Sequence, residues 1–354
     1  MTPKTTKTTM KQVAEYAGVS TATVARVLHN NGYVSDEARE KVEMVIRNTG
    51  YQLNTVAQSL RQQRTYTIAH ILESTTPNPF FVHVSLGARQ MAKHHNYHVL
   101  DYNVQHDSQF ERQAVETFIS RRVDAILFTT ALDPQNVQLA IDSGIPVIQV
   151  EKPRVKHVDT IFVDNYCGVT QAIEHLIALG HQRIAFIGVE PGTIPGMAGY
   201  TDQERYSAYV DTLQTHKIEL NNDYVAFGDI YLESDIASVG SGKELAHRLL
   251  GLPNPPSAIF VASDNAASGV MQAIYEHRLR VPDDISVIGF DDTYAPYLSP
   301  PLTTVKMPMI ALGESAVEVA IQRIESSDES QNNKPISITL STELIVRQST
   351  GSVK

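Results

Sequence analysis

Apolar positions fall into two regimes along this chain. Up to about residue 50 they recur at helical spacing, and from Tyr66 onward short apolar runs alternate with amphipathic stretches. In the first regime, "TMKQVAEYAGVSTATVARVLHN" (9–30) holds two helical patterns split by the turn "AGVS". Thr9 and Gln12 stand at the spacing of a capping box, in which both side chains satisfy end amides of a first helix. Ser20 is placed to cap the second helix. A third opens at Ser35, carries Asp36 and Glu37 in its positively polarised first turn, and stops at Gly50. On a helical wheel Val24, Val27 and Leu28 share one side of the second helix, where they can form a small core with Val13, Ala14 and Val19. The other side presents Ala22, Ala25, Arg26 and His29, flanked by Thr21 and Thr23.

The second regime predicts strands at "TIAHIL" (67–72), "HVLDYN" (98–103), "AILFTT" (125–130), "PVIQVE" (146–151), "RIAFIG" (183–188), "AIFVAS" (258–263) and "SVIGFD" (286–291). Helices are expected over 80–95, 109–120, 165–179, 200–215, 264–278 and 309–325. Strands alternating with helices over this length predict a parallel, doubly wound fold occurring twice. Breaks after "VEKP" (150–153) and around "SPPLTT" (299–304) suggest chain crossings between two lobes. The polar run "SSDESQNN" (326–333) reads as a surface loop, and "NTVAQSLRQQR" (54–64) as a linker with weak helical character.

Charge separates the head from the body. Residues 1–64 hold nine Lys/Arg against five acids, whereas the remainder holds twenty against thirty-four. A basic head on an acidic body suggests that the head alone meets a polyanion. No run of eighteen apolar residues is present to span a membrane, and the N-terminus has no apolar signal segment. Cys167 is the single cysteine, so the chain has no internal disulfide and no multi-cysteine metal site. These features predict a cytoplasmic protein.

The exposed side of the second helix has the chemistry of a recognition helix. Small residues allow close approach to a major groove, and Arg26 can bind the O6/N7 edge of guanine with two bonds. Ala22 can touch a thymine methyl, and Ser or Thr hydroxyls can reach phosphates. Periodicity alone fits a small helical bundle with one solvated Arg equally well.

With those residues in view, "MKQVAEYAGVSTATVARVLHN…VSDEAREKVEMVIRNTGY" resembles the DNA-binding headpiece of the lactose-repressor/galactose-repressor (LacI/GalR) family of bacterial transcription regulators. The segment "NTVAQSL" resembles the family's hinge, "HLIALGHQRIAFIG" and "VPDDISVIGFDD" its core signatures, and "PPLTTV" its late crossover. The resemblance covers nearly the whole chain in the family's order. It implies an all-α helix-turn-helix headpiece (1–53), a hinge (54–64), and a periplasmic-binding-protein-like α/β core (65–354) of two doubly wound lobes. The first lobe is expected over about 65–162 and 292–325, the second over about 163–291 and 326–354.

Carried over by position, Thr21, Ala22 and Arg26 match base-reading residues, and Ser20 and Thr23 match phosphate contacts. Ala25 stands where the family usually has Ser and cannot donate to a phosphate; His29 replaces the usual Asn and can still reach one. In the hinge, Val56, Ala57 and Leu60 form a sparse apolar stripe on a segment too short to hold a helix alone. The resemblance implies that two hinges pair as helices on DNA and that Leu60 wedges into a minor-groove step.

Two lobes leave a cleft facing the carboxyl ends of their strands. "TTPNPFF" after the first strand offers Asn78, Phe80 and Phe81, and "SDN" after strand 258–263 offers Ser263 and Asp264. Glu151 and Asp164 are further candidates for an effector contact. By resemblance, Arg205 matches the family's ligand-gripping Arg and Asp291 its ligand-binding Asp. Arg and Asp can each engage adjacent hydroxyls, and a Phe face packs on the C–H side of a sugar ring. The bland alternatives are a structural ion pair for Arg205 and Asp291, core packing for the two Phe, and helix capping for Asp264.

Catalytic frames are missing from the sequence. "GSGK" (240–243) fails as a phosphate loop, because Ala237 replaces its first Gly and Glu244 its Ser/Thr. His94, His95 and His98 have no carboxylate at ligand spacing and read as solvated. No nucleophile elbow or dinucleotide fingerprint occurs, so neither an enzyme nor a cofactor is expected.

The expected function is a ligand-responsive repressor of a carbohydrate-use operon, acting as a homodimer on palindromic operator DNA, with a sugar-like effector. A purine or nucleoside effector is the main rival. A sugar-binding transport protein is the rival from another class, which the basic head and missing signal argue against. A tetramer is unsupported, as "ELIVRQSTGSVK" carries no heptad stripe.

Overall fold

Thr9 and Gln12 cap each other at the head of the first helix: the Thr9 hydroxyl accepts from Gln12 N at 3.3 Å, and the Gln12 side chain accepts from Thr9 N at 2.8 Å. Helix α1 (Met10–Ala17) ends at Gly18, whose φ of 64° suits a residue without Cβ. Helix α2 (Thr21–His29) starts at Ser20, which accepts from Thr23 N at 3.1 Å. Helix α3 (Asp36–Thr49) is capped by Ser35 and stops at Gly50. Val13, Ala14, Ala17, Val24, Val27 and Val42 are buried between the three, with Val19 and Leu28 packed at the edge. This forms the first of two units, residues 1–65; the second spans 66–354. The computed structural model describes residues 8–29, 31–51, 64–74, 79–151, 155–190, 200–230, 235–326 and 334–353. The hinge candidates Val56, Ala57 and Leu60, and the cleft candidate Asn78, lie outside the described residues.

The second unit holds two six-stranded sheets. In chain order the first lobe begins with β1 (Thr67–Leu72), α4 (Pro79–His94), β2 (His98–Asn103), α5 (Ser108–Ser120), β3 (Ala125–Thr129), α6 (Pro134–Asp142), β4 (Val147–Val150) and β5 (Asp159–Val163). The second contains α7 (Asn165–Ala178), β6 (Ile184–Gly188), α8 (Tyr200–Thr215), β7 (Val225–Phe227), α9 (Asp235–Leu250), β8 (Ala258–Val261), α10 (Asp264–Glu276), β9 (Ser286–Asp291) and β10 (Thr303–Lys306). The chain then forms α11 (Met309–Glu325), β11 (Ser337–Leu340) and β12 (Glu343–Ile345).

The first sheet has the order β11-β5-β4-β3-β1-β2 and is parallel throughout. The second, β12-β10-β9-β8-β6-β7, is parallel except for β12, which runs antiparallel to β10. Strand order reverses next to β1 in one and next to β6 in the other, which puts helices on both faces and a crevice at each switch point. Central strands β3, β4, β6, β8 and β9 are buried along their length, as sheets covered on both faces require.

This topology agrees with the first expected lobe boundary, about 162/163, but corrects the suggested crossing after "VEKP" and the later boundaries. After β4 the chain adds β5 to the same sheet and crosses at Asp164, not after "VEKP". Segment 303–306 belongs to the second sheet, because β10 pairs with β9, so the second crossing is at Met307–Pro308. A third crossing, unanticipated in the sequence, lies at 341–342: β11 joins the first sheet beside β5, and β12 the second.

Glycines set the closest helix contacts. A Cβ at Gly87 of α4 would overlap the Ile310 carbonyl of α11, and one at Gly313 would overlap the Val84 carbonyl. In the second lobe Gly242 of α9 meets Ala266 O, and Gly269 of α10 meets Val239 O. Gly242 belongs to the "GSGK" stretch, which is helical and whose small residue serves this backbone contact.

Candidate functional site

In the first unit, burial sorts α2 into two sides. Val24 and Val27 face the core, while Ser20, Thr21, Ala22 and Arg26 are exposed and Thr23 and Ala25 half-buried. The cap that starts α2 also fixes two candidate phosphate ligands, because the Ser20 and Thr23 hydroxyls lie 2.9 Å apart. His29 closes the helix. The following loop turns back beside Arg26: Asn31 N donates to Arg26 O at 3.1 Å, and Gly32 (φ 84°) abuts the aliphatic part of the Arg26 side chain. Tyr33, next in that loop, is 89% exposed, and the sequence pattern does not single it out. The result is a guanidinium on a surface of small side chains and hydroxyls, which fits a major groove and its flanking phosphates.

In the second unit, Arg205 is the centre of a cluster at the carboxyl ends of the strands. Helix α8 carries it, 3% exposed. Its guanidinium carbon sits 3.8 Å over the centre of the Phe290 ring. Its Nε donates to Asn165 Oδ1 at 2.9 Å, and one terminal nitrogen donates to Ala262 O at 2.8 Å. The other terminal nitrogen approaches the Met307 sulfur at 3.9 Å. Arg205 therefore joins the start of α7, the end of β8, the end of β9 and the second interlobe crossing. Asn165, Phe290 and Met307 were not evident from spacing, since they come together only through the fold.

Asp291 follows Phe290 at the tip of β9 with φ 113°, and its carbonyl accepts from Met307 N at 3.3 Å. Positive φ at a non-glycine residue is uncommon outside functional or tightly held turns. Ser263 caps α10 by accepting from Asn265 N at 3.3 Å.

Three expected effector contacts have structural roles that limit what they can offer a ligand. Asp264 is fully buried, and both its oxygens are taken: Oδ1 accepts from the Thr304 hydroxyl at 2.6 Å, and Oδ2 from Thr293 N at 2.8 Å. Burial pushes its carboxyl up to about 7, against the opposing pull of those donors. Its carboxylate is turned into the protein interior and not toward open space, unlike the cleft-facing side chain expected from the sequence. Asp164 caps α7 by accepting from Cys167 N at 2.8 Å, at the first crossing. Glu151 (φ 53°) is buried at the end of β4 and accepts from Val163 N at 2.7 Å, tying β4 to β5.

Phe80 and Phe81 lie in the first turn of α4, edge to face with ring centres 5.2 Å apart, and each is 6% exposed. Their bulk belongs to the core at the end of β1. His94, His95 and His98 are exposed, and no group of three metal-ligating side chains occurs among the described residues.

Comparison with known proteins follows this division. Residues 9–54 match the family described as bacterial regulatory proteins, lacI family, and residues 173–350 match the periplasmic binding protein-like domain. The chain is 31% identical over 348 residues to the ribose operon repressor of Haemophilus influenzae, spanning 98% of this chain and 99% of that protein. It is also 31% identical over 349 residues to the HTH-type transcriptional repressor PurR of Haemophilus influenzae (strain PittEE), with the same two coverages. Among solved structures, the Lac repressor dimer bound to operator and the anti-inducer ONPF superposes with a TM-score of 0.79. That match has 27% identity and covers 98% of this chain and 100% of the other.

Proposed function

This chain belongs to the lacI family of bacterial regulatory proteins, and from that premise we propose that it represses a sugar-use operon, binding a palindromic operator as a homodimer and responding to a small sugar. It is a ligand-responsive, DNA-binding transcription regulator, not an enzyme. Its place of action is the cytoplasm, where operator DNA is; among the described residues no helix is long and apolar enough to cross a membrane.

The observation that carries the effector reading is Arg205 held 3.8 Å over the centre of the Phe290 ring, one residue before Asp291. A fixed guanidinium beside a carboxylate can grip neighbouring hydroxyls of one ring. The relative named ribose operon repressor supports ribose as the first compound to test. The effector bridges the lobes, drawing them together about the three crossings. Segment 54–64, with Val56, Ala57 and Leu60, forms paired hinge helices only when the two copies hold it at the right spacing. Effector binding thus shifts the population between operator-competent and incompetent dimers.

Thermal shift of the purified protein with D-ribose, other pentoses, hexoses, hypoxanthine and guanine tests this reading, since a ligand of the folded state raises the melting temperature. A pentose or hexose hit, followed by a change in operator affinity on its addition, is the expected result. The sign of that change assigns the effector as inducer or corepressor. A purine hit alone overturns the sugar reading in favour of a purine-responsive regulator.

A further inference from the structure

The turn that carries Asp291 is held in an unfavourable shape. Asp291 and Asp292 have φ of 113° and 62°, two consecutive non-glycine residues in conformations that L side chains rarely adopt. Such a turn persists only where its surroundings fix it. Arg347 anchors the Asp292 carboxylate at 2.7 Å, and Leu302 N donates to Ala295 O at 2.9 Å. Met307 N donates to Asp291 O at 3.3 Å, and a further tie is Asp264, which receives Thr293 N and the amide of Ala295 from the same turn, together with the Thr304 hydroxyl of β10.

Asp264 is not needed where its sequence position would put it to use. It is the first residue of α10, yet the capping bond is made by Ser263. Its carboxylate points away from its own helix, across β9 to the turn and to β10. Gly289 on β9 makes that reach possible, because a Cβ there would overlap Asp264 Oδ1. A buried carboxylate, a glycine that makes room for it and three donors on two other segments form one constructed contact.

We propose that Asp264 is a positioning residue for the effector: it does not touch the ligand but fixes the turn that aims Asp291, and it ties that turn to β10, the strand leading into the second crossing. This rests on the reading that Asp291 binds the effector. Effector affinity then depends on a bond network buried behind the site, and operator affinity of the ligand-free dimer does not.

The test uses the full chain as wild type, Asp264→Asn, Thr304→Val and Thr304→Ser. Asn keeps the shape but cannot accept as two carboxylate oxygens do; Val removes one donor; Ser keeps the hydroxyl. Hydrogen exchange is measured by mass spectrometry on peptides spanning 291–297, alongside D-ribose affinity by calorimetry and operator affinity by anisotropy. In Asp264→Asn and Thr304→Val, exchange over 291–297 is expected to rise, and ribose affinity to fall roughly tenfold, the scale of one lost charge-assisted bond. Thr304→Ser should restore both, and operator affinity should stay within about twofold throughout. Lost ribose binding with unchanged exchange overturns the proposal, since Asp264 would then contact the ligand itself. Faster exchange with unchanged ribose affinity also overturns it, leaving a purely structural role. If Asp264→Asn fails to fold, the Thr304 pair decides by the same two readouts. If ribose does not bind the wild type, the ribose reading fails by itself, and affinity is measured instead with the sugar that raises the melting temperature; equal exchange in all four proteins then overturns the proposal by removing Asp264 as the tie.

Discussion

The hydroxyl of Thr342 donates to the backbone carbonyl of Asp164 at 3.0 Å, joining the third interlobe crossing to the first. Gly168, in the first turn of α7, packs beneath both this hydroxyl and Val305 of β10. All three crossings therefore meet within one small neighbourhood, which is where a rotation between the lobes must be accommodated.

Replacing Thr342 by Val puts a methyl where the hydroxyl approaches Asp164 O and removes the bond. A loss of about 1 kcal/mol is expected, or roughly 2 °C in melting temperature for a unit of this size. Scanning calorimetry checks the size, and unchanged stability would mean that the bond carries no load between the crossings.

Arg26→Ala should weaken binding to the cognate operator by about 1–3 kcal/mol while leaving random-sequence binding nearly unchanged. Anisotropy titrations on both DNAs separate the two. Equal losses would show that Arg26 contacts phosphate and not a base edge.

Leu60→Ala tests the hinge proposed from the sequence resemblance. Removing the apolar wedge should reduce operator bending in a gel-shift phasing assay, with little change in non-specific affinity. Unaltered bending would remove Leu60 from the minor groove.

Arg205→Ala should abolish the effector response and spare operator binding. Because Arg205 also holds Asn165 and Ala262 O, part of its effect is on the lobe itself. Arg205→Lys is the sharper variant: it keeps the charge but loses the planar fork, so response should still fall at least roughly tenfold. An intact response would take Arg205 out of the site.

Acid stability reports a buried network in the first lobe. Asp101 of β2 receives His70 Nδ1 at 3.1 Å and the Ser85 hydroxyl at 2.8 Å, and also pairs with Arg89. Burial alone would raise its carboxyl, but these donors and the His70 charge outweigh burial and hold it down to about 2. A carboxyl lowered in the folded state stabilises the protein above its ordinary value of 3.8, and that contribution disappears as pH falls from about 4 to about 2. The loss is about 2 kcal/mol at most, because Arg89 is largely exposed to solvent. Asp101→Asn should flatten this stretch of the stability–pH profile measured by urea unfolding.

The elements that were legible in the sequence are those with strong local patterns. Strands β1, β2 and β9 and helices α8 and α11 coincide with their predicted spans, and the headpiece caps are formed by Thr9, Ser20 and Ser35. Strand β10, "TTVK", has no local apolar pattern and forms by pairing with β9, and β11 and β12 are short, partly exposed strands that exist through partners far away in sequence. Helix α9 is hard to read from sequence because its glycine-containing stretch looks like a loop until α10 is laid against it. Arg205 and Asp291, singled out by the family resemblance, lie in α8 and at the end of β9, the elements expected for their segments. Position in the chain did not reveal the orientation of Asp264, whose partners Thr293 and Thr304 lie 29 and 40 residues away. A carboxylate beside a strand end looks the same in sequence whether it faces solvent or the protein interior.

The paired glycines of α4 with α11 and of α9 with α10 have a mechanical consequence. Two helices touching backbone to backbone cannot slide or roll past one another without collision, so each lobe behaves as a stiff lever. Helix α4 alone, with 16 residues, is about 24 Å long. A small angular change at the crossings is then not absorbed along the way. It arrives at the far end of the lever multiplied by its length.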